Sequence, residues 1–185
     1  TVITDAQPYA LQQSGHNVQL LLTDRLITAQ LLIGADGAKS WVRAQCGIDT
    51  DLVDFAQTAL VTNYDAEIDH GSIARQWFGV HETMALLPMP CNQVSLVWAM
   101  PHVQAEVKKQ LSPQMLATEV SDRSQGVLGA LSPHGEILTF QLKQNTAKQR
   151  VLPNIMLIGD AAHQVHPMAG QGVNLGFQDA QTLCE

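Results

Sequence analysis

Two textures of hydrophobic spacing alternate along the chain. Residues 16–22 and 25–30 are β-rich runs flanking the polar pair Thr23-Asp24, which predicts a hairpin although the usual glycine turn is missing. Residues 31–33 form a short buried strand running into Gly34, and residues 40–45 begin a short helix that Gly47 ends. From about residue 48 to 144 the runs lengthen: 58–64, 73–78, 83–87 and 93–100 read as strands, several of mixed or alternating polarity, as suits an antiparallel sheet with one covered face. Two helices follow, over 102–111 and 114–123, the second opening with Ser112 as N-cap and Pro113 at the first helical position. Residues 137–142 make a last strand leading back. The apolar run Ile155-Met156-Leu157-Ile158 then reads as a buried strand, and Val173, Phe177, Ala180 and Leu183 recur at helical spacing.

This succession predicts an α/β (α+β) fold in three stretches, 1–47, 48–144 and 145–185, with the middle sheet-and-helix stretch inserted into the domain formed by the other two. A length of 185 residues with 45% hydrophobic content is ample for a globular core. Ten Lys plus Arg against seventeen Asp plus Glu give a formal charge of -7 with no block of basic residues, which argues against a nucleic acid partner. Cys46, Cys91 and Cys184 are odd in number, far apart and without metal-ligand spacing. They read as reduced packing residues in a cytoplasmic protein. No apolar run is long enough to span a bilayer, so any membrane contact would be peripheral.

Candidate chemistry concentrates near the end, in Gly159-Asp160-Ala161-Ala162-His163-Gln164-Val165-His166-Pro167-Met168-Ala169-Gly170-Gln171-Gly172-Val173-Asn174-Leu175-Gly176. Gly159 and Asp160 fall at the carboxyl end of the strand over 155–158, where open α/β sheets bind ligands. Gly159 lets a ligand approach the backbone, and the Asp160 carboxylate can accept charge-assisted hydrogen bonds from sugar-like hydroxyls. Gly170, Gly172 and Gly176 lead into the terminal helix, whose amino-terminal amides and dipole favour an electron-rich or anionic group above Gly170 to Gly172. A reduced flavin ring meets that demand.

This run resembles the second FAD-binding motif of the aromatic-ring hydroxylases, the single-component flavin monooxygenases. Its part Pro167-Met168-Ala169-Gly170-Gln171-Gly172-Val173-Asn174 is most similar to the ubiquinone-biosynthesis (UbiH/UbiF/VisC-type) hydroxylases. A second segment, Leu32-Ile33-Gly34-Ala35-Asp36-Gly37-Ala38-Lys39-Ser40-Trp41-Val42-Arg43, is similar to that family's Asp-Gly motif, which lies near the cofactor pyrophosphate and the nicotinamide donor's path. The resemblance implies a p-hydroxybenzoate-hydroxylase-like architecture: a partial FAD-binding Rossmann-like domain carrying an inserted antiparallel-sheet substrate domain. It implies hydroxylation of a prenylated phenol or quinone precursor with FAD, NAD(P)H and O2, through a flavin C4a-hydroperoxide. Related flavin folds leave halogenase, epoxidase and prenyl-lipid reductase chemistry open, as well as an inactive binding module. The family begins with a strand, a Gly-x-Gly-x-x-Gly turn and a helix. Nothing like it precedes Asp36, so the expectation is an internal piece of a longer enzyme, inactive when isolated, located in the cytoplasm or peripheral to the inner membrane. Docking on a biosynthetic complex and the oligomeric state stay open.

Each candidate has a plainer reading. Asp160 could cap a helix and Asp36-Gly37 could be an ordinary turn; the downstream glycines and the Ser40 and Arg43 spacing favour the cofactor reading. Under it, Gly159 and Asp160 anchor the ribityl-phosphate region, Pro167 turns its carbonyl to the ring, and Gly170, Gln171, Gly172, Val173 and Asn174 poise the ring. Asp36, Gly37 and Arg43, whose planar fork can bind bidentately, serve the pyrophosphate side. His163 and His166 lack a third ligand for zinc, so no metal is expected. Trp77, Phe78, Met84, Leu86, Met89 and Trp98 either line a pocket for a greasy aromatic substrate or are core. No dedicated acid-base or nucleophilic residue is required, because the cofactor carries the chemistry.

Overall fold

Strand β1 (Pro8–Ser14), β2 (Asn17–Leu22) and β3 (Leu26–Ala29) form a three-stranded antiparallel meander in the computed structural model, which describes residues 1–165 and 171–185. The expectations for His166, Pro167 and Gly170 lie outside the described residues. The predicted hairpin is the β2–β3 pair, in register from Val18↔Ala29 to Leu21↔Leu26. Strand β1 escapes the sequence pattern because most of its residues are exposed and only Ala10 and Leu11 are half-buried. Then come β4 (Leu32–Gly34) and helix α1 (Trp41–Gln45), whose N-cap Ser40 accepts from the Arg43 N–H.

Strands β5 (Thr50–Ala66), β6 (Arg75–Phe78), β7 (Thr83–Met89) and β8 (Gln93–Pro101) lead to helices α2 (His102–Lys109) and α3 (Pro113–Arg123), then to β9 (Leu131–Ala147). Ser112 caps α3 by accepting from the Met115 N–H, with Pro113 in its first turn, as the sequence predicts. Short β10 (Val151–Leu152), β11 (Ile155–Leu157) and β12 (His163–Gln164) precede the terminal helix α4 (Gln171–Cys184).

The chain divides into two compact units, one of Thr1–Asp54 with Lys143–Glu185 and one of Phe55–Leu142. In the second, the strand order β9-β5-β8-β7-β6 builds an antiparallel sheet. Its alternating positions, Leu60 and Tyr64 of β5, Met84 and Leu86 of β7, and Val94, Leu96, Trp98 and Met100 of β8, pack with Leu116, Ala117 and Val120 of α3. Strands β5 and β9 run well past their apolar stretches, and β5 carries a left-handed residue, Ala56 at φ 53. The first unit has a separate core of Val18, Val42, Ala147, Ile155, Leu157, Ala161 and Ala162. Cys46 packs against it, while Cys91 and Cys184 are exposed, so the packing reading of the cysteines holds for Cys46 and not for the other two. Among the described residues, no helix is long and apolar enough to cross a membrane.

Candidate functional site

The apolar run 155–157 and the run 32–34 become neighbouring strands. β11 pairs with β4 in parallel, Ile155↔Leu32, Met156↔Ile33 and Leu157↔Gly34, and the Ile158 N–H extends the ladder to the Gly34 carbonyl at 3.0 Å. Parallel pairing brings both strands to the same sheet end, so Asp36-Gly37 and Gly159-Asp160 emerge side by side. Gly34 is required by packing: a Cβ there would stand 2.8 Å from Leu157 Cδ2 and 3.0 Å from Val42 Cβ.

In the first segment, Asp36 is committed to helix α1. Its Oδ2 accepts from the Val42 N–H at 3.0 Å. Partial burial pushes its carboxyl pKa up, but hydrogen bonds from the Ser40 hydroxyl and the Val42 and Trp41 amides outweigh this and hold it below the ordinary carboxylate value. Arg43 donates from one terminal nitrogen to the Ala161 carbonyl at 2.8 Å and from the other to the Ala38 carbonyl at 2.7 Å. Its guanidinium thus stitches the first segment to the second. Gly37 stands at φ 82 with no atom within 4 Å of where a Cβ would be, so its backbone is open to a ligand.

In the second segment, Gly159 has φ 57 and opens a 3-10 turn, Gly159–Ala161. The Asp160 side chain is exposed and does not cap this turn, which removes the plain capping reading. The Gly159 N–H donates to Asp179 Oδ2 at 2.8 Å, and the same oxygen lies 2.5 Å from His163 Nε2. Asp179 is a residue that sequence reasoning missed. Its signal is the spacing Gly172, Gly176, Asp179, a stripe of small and polar residues on one helix face. The covered face of α4 runs through that stripe together with Leu175, Ala180 and Leu183, all half-buried, while Val173 and Phe177 are 64% and 69% exposed. Gln171, Val173 and Asn174 are exposed in the first turn, where the first four amides of a helix lack intrahelical partners.

The six candidate pocket residues of the second unit separate. Met84, Leu86 and Trp98 are buried in the core beneath the helices, and Trp77 packs against that core. The Trp98 indole donates to Glu82 Oε2 at 3.0 Å, and Lys108 and Arg123 lie over its ring at 4.6 and 5.4 Å from the centroid. Phe78 and Met89 remain exposed. A cleft of about 710 Å³ in this unit is lined by Asp69, His70, Met89, Cys91 and Asn92 among others. Two of its polar side chains are already engaged: His70 is bonded by the Ser72 N–H and to the Met89 carbonyl, and Asn92 by the His70 N–H and to the Ala66 carbonyl.

Residues 4–185 match the family model described as FAD binding domain. The ubiquinone hydroxylase UbiL of Rhodospirillum rubrum is 34% identical over 193 residues, covering 100% of this chain and 43% of the relative. The 3-demethoxyubiquinol 3-hydroxylase of Escherichia coli is 36% identical over 160 residues, 86% of this chain and 41% of the relative. The mitochondrial ubiquinone biosynthesis monooxygenase COQ6 of Homo sapiens is 32% identical over 211 residues, 95% and 45%. The chain thus spans less than half the length of these curated relatives. Among solved structures, Pseudomonas aeruginosa PqsL in complex with 2-aminobenzoylacetate superposes with TM-score 0.83 at 23% identity, over 96% of this chain and 51% of that one. Aklavinone-11 hydroxylase with FAD and aklavinone gives 0.73 at 18%, over 96% and 36%. These two likenesses show the fold.

Proposed function

Since the chain belongs to the FAD binding domain family, we propose that its two glycine-acid segments hold FAD and that it serves ring hydroxylation of a prenylated phenol or quinone precursor in ubiquinone synthesis. The observation that carries this reading is the parallel β4–β11 pair, which sets both segments at one sheet end with Arg43 joining them.

The residues present fit the group. Gly37 offers an open left-handed backbone, Asp160 an exposed carboxylate for ribityl hydroxyls, and the first turn of α4 backbone amides for an electron-rich ring edge. Gly170 and Pro167 belong to the same reading through their place in the motif. Asp36 and Arg43 act on the pyrophosphate side by holding the loop that contains Gly37, Asp36 through the Val42 N–H and Arg43 through the Ala38 and Ala161 carbonyls. When bound, FAD supplies the redox chemistry, taking reducing equivalents from NAD(P)H and activating O2. The protein's contribution is to bind, orient and exclude water, so no catalytic acid, base or metal ligand is assigned. The substrate is a small aromatic molecule, and a prenyl tail is consistent with peripheral contact with a membrane or a biosynthetic complex.

Asp160→Ala tests the reading. FAD titration followed by flavin fluorescence should show weaker binding, by about tenfold for loss of a charge-assisted hydrogen bond, with a parallel loss of NADPH oxidation in the complete protein. Unchanged affinity and oxidation would remove Asp160 from the site. Mass analysis of a prenylated phenol incubated with the protein, NADPH and O2 should show one added oxygen atom; a halogenated or reduced product would replace hydroxylation with a sister chemistry.

A further inference from the structure

Gly172, Gly176 and Asp179 share one face of α4, and that face lies along residues 159–165. A Cβ at Gly176 would stand 3.5 Å from Gly159 Cα, and one at Gly172 would stand 3.9 Å from Val165 Cγ2. Gly176 therefore brings backbone close to the turn with no side chain between, Gly172 makes room for the Val165 side chain, and Asp179 supplies a directional polar contact. Asp179 Oδ2 accepts from the Gly159 N–H at 2.8 Å and lies 2.5 Å from His163 Nε2, with the Asp179 and His163 side chains only 21% and 12% exposed. His163 is itself held by the β12–β9 pairing, His163↔Thr146. The carboxylate is therefore steered from a strand while it grips a turn.

Gly159 is left-handed, so the bond to its N–H orients the peptide that begins the Gly159–Ala161 turn, the turn that presents Asp160. Asp179 stands about 12 Å along the helix axis from Gln171. Anchoring a helix at one point of a rigid rod sets where its first-turn amides point.

We infer that Asp179, steered by His163, is a positioning residue for the cofactor: it locks the Gly159–Ala161 turn to α4 so that the turn and the first turn of the helix meet FAD as one unit. The inference rests on the FAD reading above. A residue that served stability alone would change the melting temperature and leave the environment of bound flavin as it was.

The test uses the complete protein as wild type, Asp179→Ala, His163→Leu and His163→Gln. FAD affinity is read by fluorescence, the bound flavin by its visible absorption band, and folding of the apoproteins by circular dichroism melting. Asp179→Ala should weaken FAD binding by about tenfold or more, as expected for a lost charge-assisted bond, and shift the visible band of the flavin that still binds. His163→Leu should move both readings the same way, and His163→Gln, whose amide can donate to the same oxygen, should restore them. Unchanged affinity and spectrum in Asp179→Ala overturns the inference. If that variant fails to fold, the two His163 variants decide: glutamine no better than leucine overturns it, and rescue by glutamine supports it. A wild-type protein that binds no FAD instead overturns the reading on which the inference rests, and is distinguished by failing before any substitution is made.

Discussion

At the scale of the residue, the two segments are alike in spending polar atoms on their own backbone. Asp36 receives amides of α1, Ser40 caps that helix, and Asp179 receives the Gly159 amide. Asp36 has a consequence in acid. Its folded pKa lies below the ordinary 3.8, so it contributes stability above that value, and the contribution is lost as pH falls through the lower folded value. Urea midpoints for wild type and Asp36→Asn should therefore differ at pH 7, wild type being the more stable, and draw together as pH falls below 3.8. A difference that persists undiminished at pH 3 would mean that the carboxylate charge contributes nothing. The types of these residues were legible in the sequence, because Asp-Gly followed by Ser at a helix start is a local pattern. The partner of Gly159 was not: Asp179 is far along the chain, and only the packing of α4 brings it there.

At the scale of the element, periodicity located the strands and helices well where one face is buried. It missed β1, β10 and β12, which are short or largely exposed, and so carry no clean alternation. It also drew β5 and β9 too short at both ends, because hydrogen bonding along a ladder extends beyond the apolar face. Helix α4 shows the reverse case. Its existence follows from Val173, Phe177, Ala180 and Leu183, yet only Ala180 and Leu183 of these lie on its covered face, beside Gly172, Gly176 and Asp179, and Val173 and Phe177 are exposed. The junction of β4, β11 and α1 gives a sharp prediction. Gly34→Val forces a branched side chain against Leu157 and Val42, both buried, and should destabilise the first unit by about 1–3 kcal/mol or more through overpacking. Denaturant unfolding followed through an amide probe in β4 checks it; a change under about 0.5 kcal/mol would show that the contact relaxes freely.

At the scale of the whole molecule, two separate cores predict that damage stays local. Leu96 is fully buried in the core of the second unit, and Leu96→Ala should cost about 2–5 kcal/mol. Hydrogen exchange should lose protection chiefly within Phe55–Leu142 while β4 and β11 keep theirs, and uniform loss across the chain would instead mean that both units unfold as one. The sequence by itself determined the fold class, the antiparallel texture of the middle stretch and the two glycine-acid segments, since each depends on neighbours within a few residues. Tertiary structure alone decided that Arg43 reaches Ala38 and Ala161, that Met84, Leu86 and Trp98 are core rather than pocket wall, and that Asp179 joins the Gly159 turn. Those outcomes depend on which distant strands pair and which helix face lies down, and long-range pairing is set by the packing of the assembled elements, which leaves no fixed spacing in the chain to read.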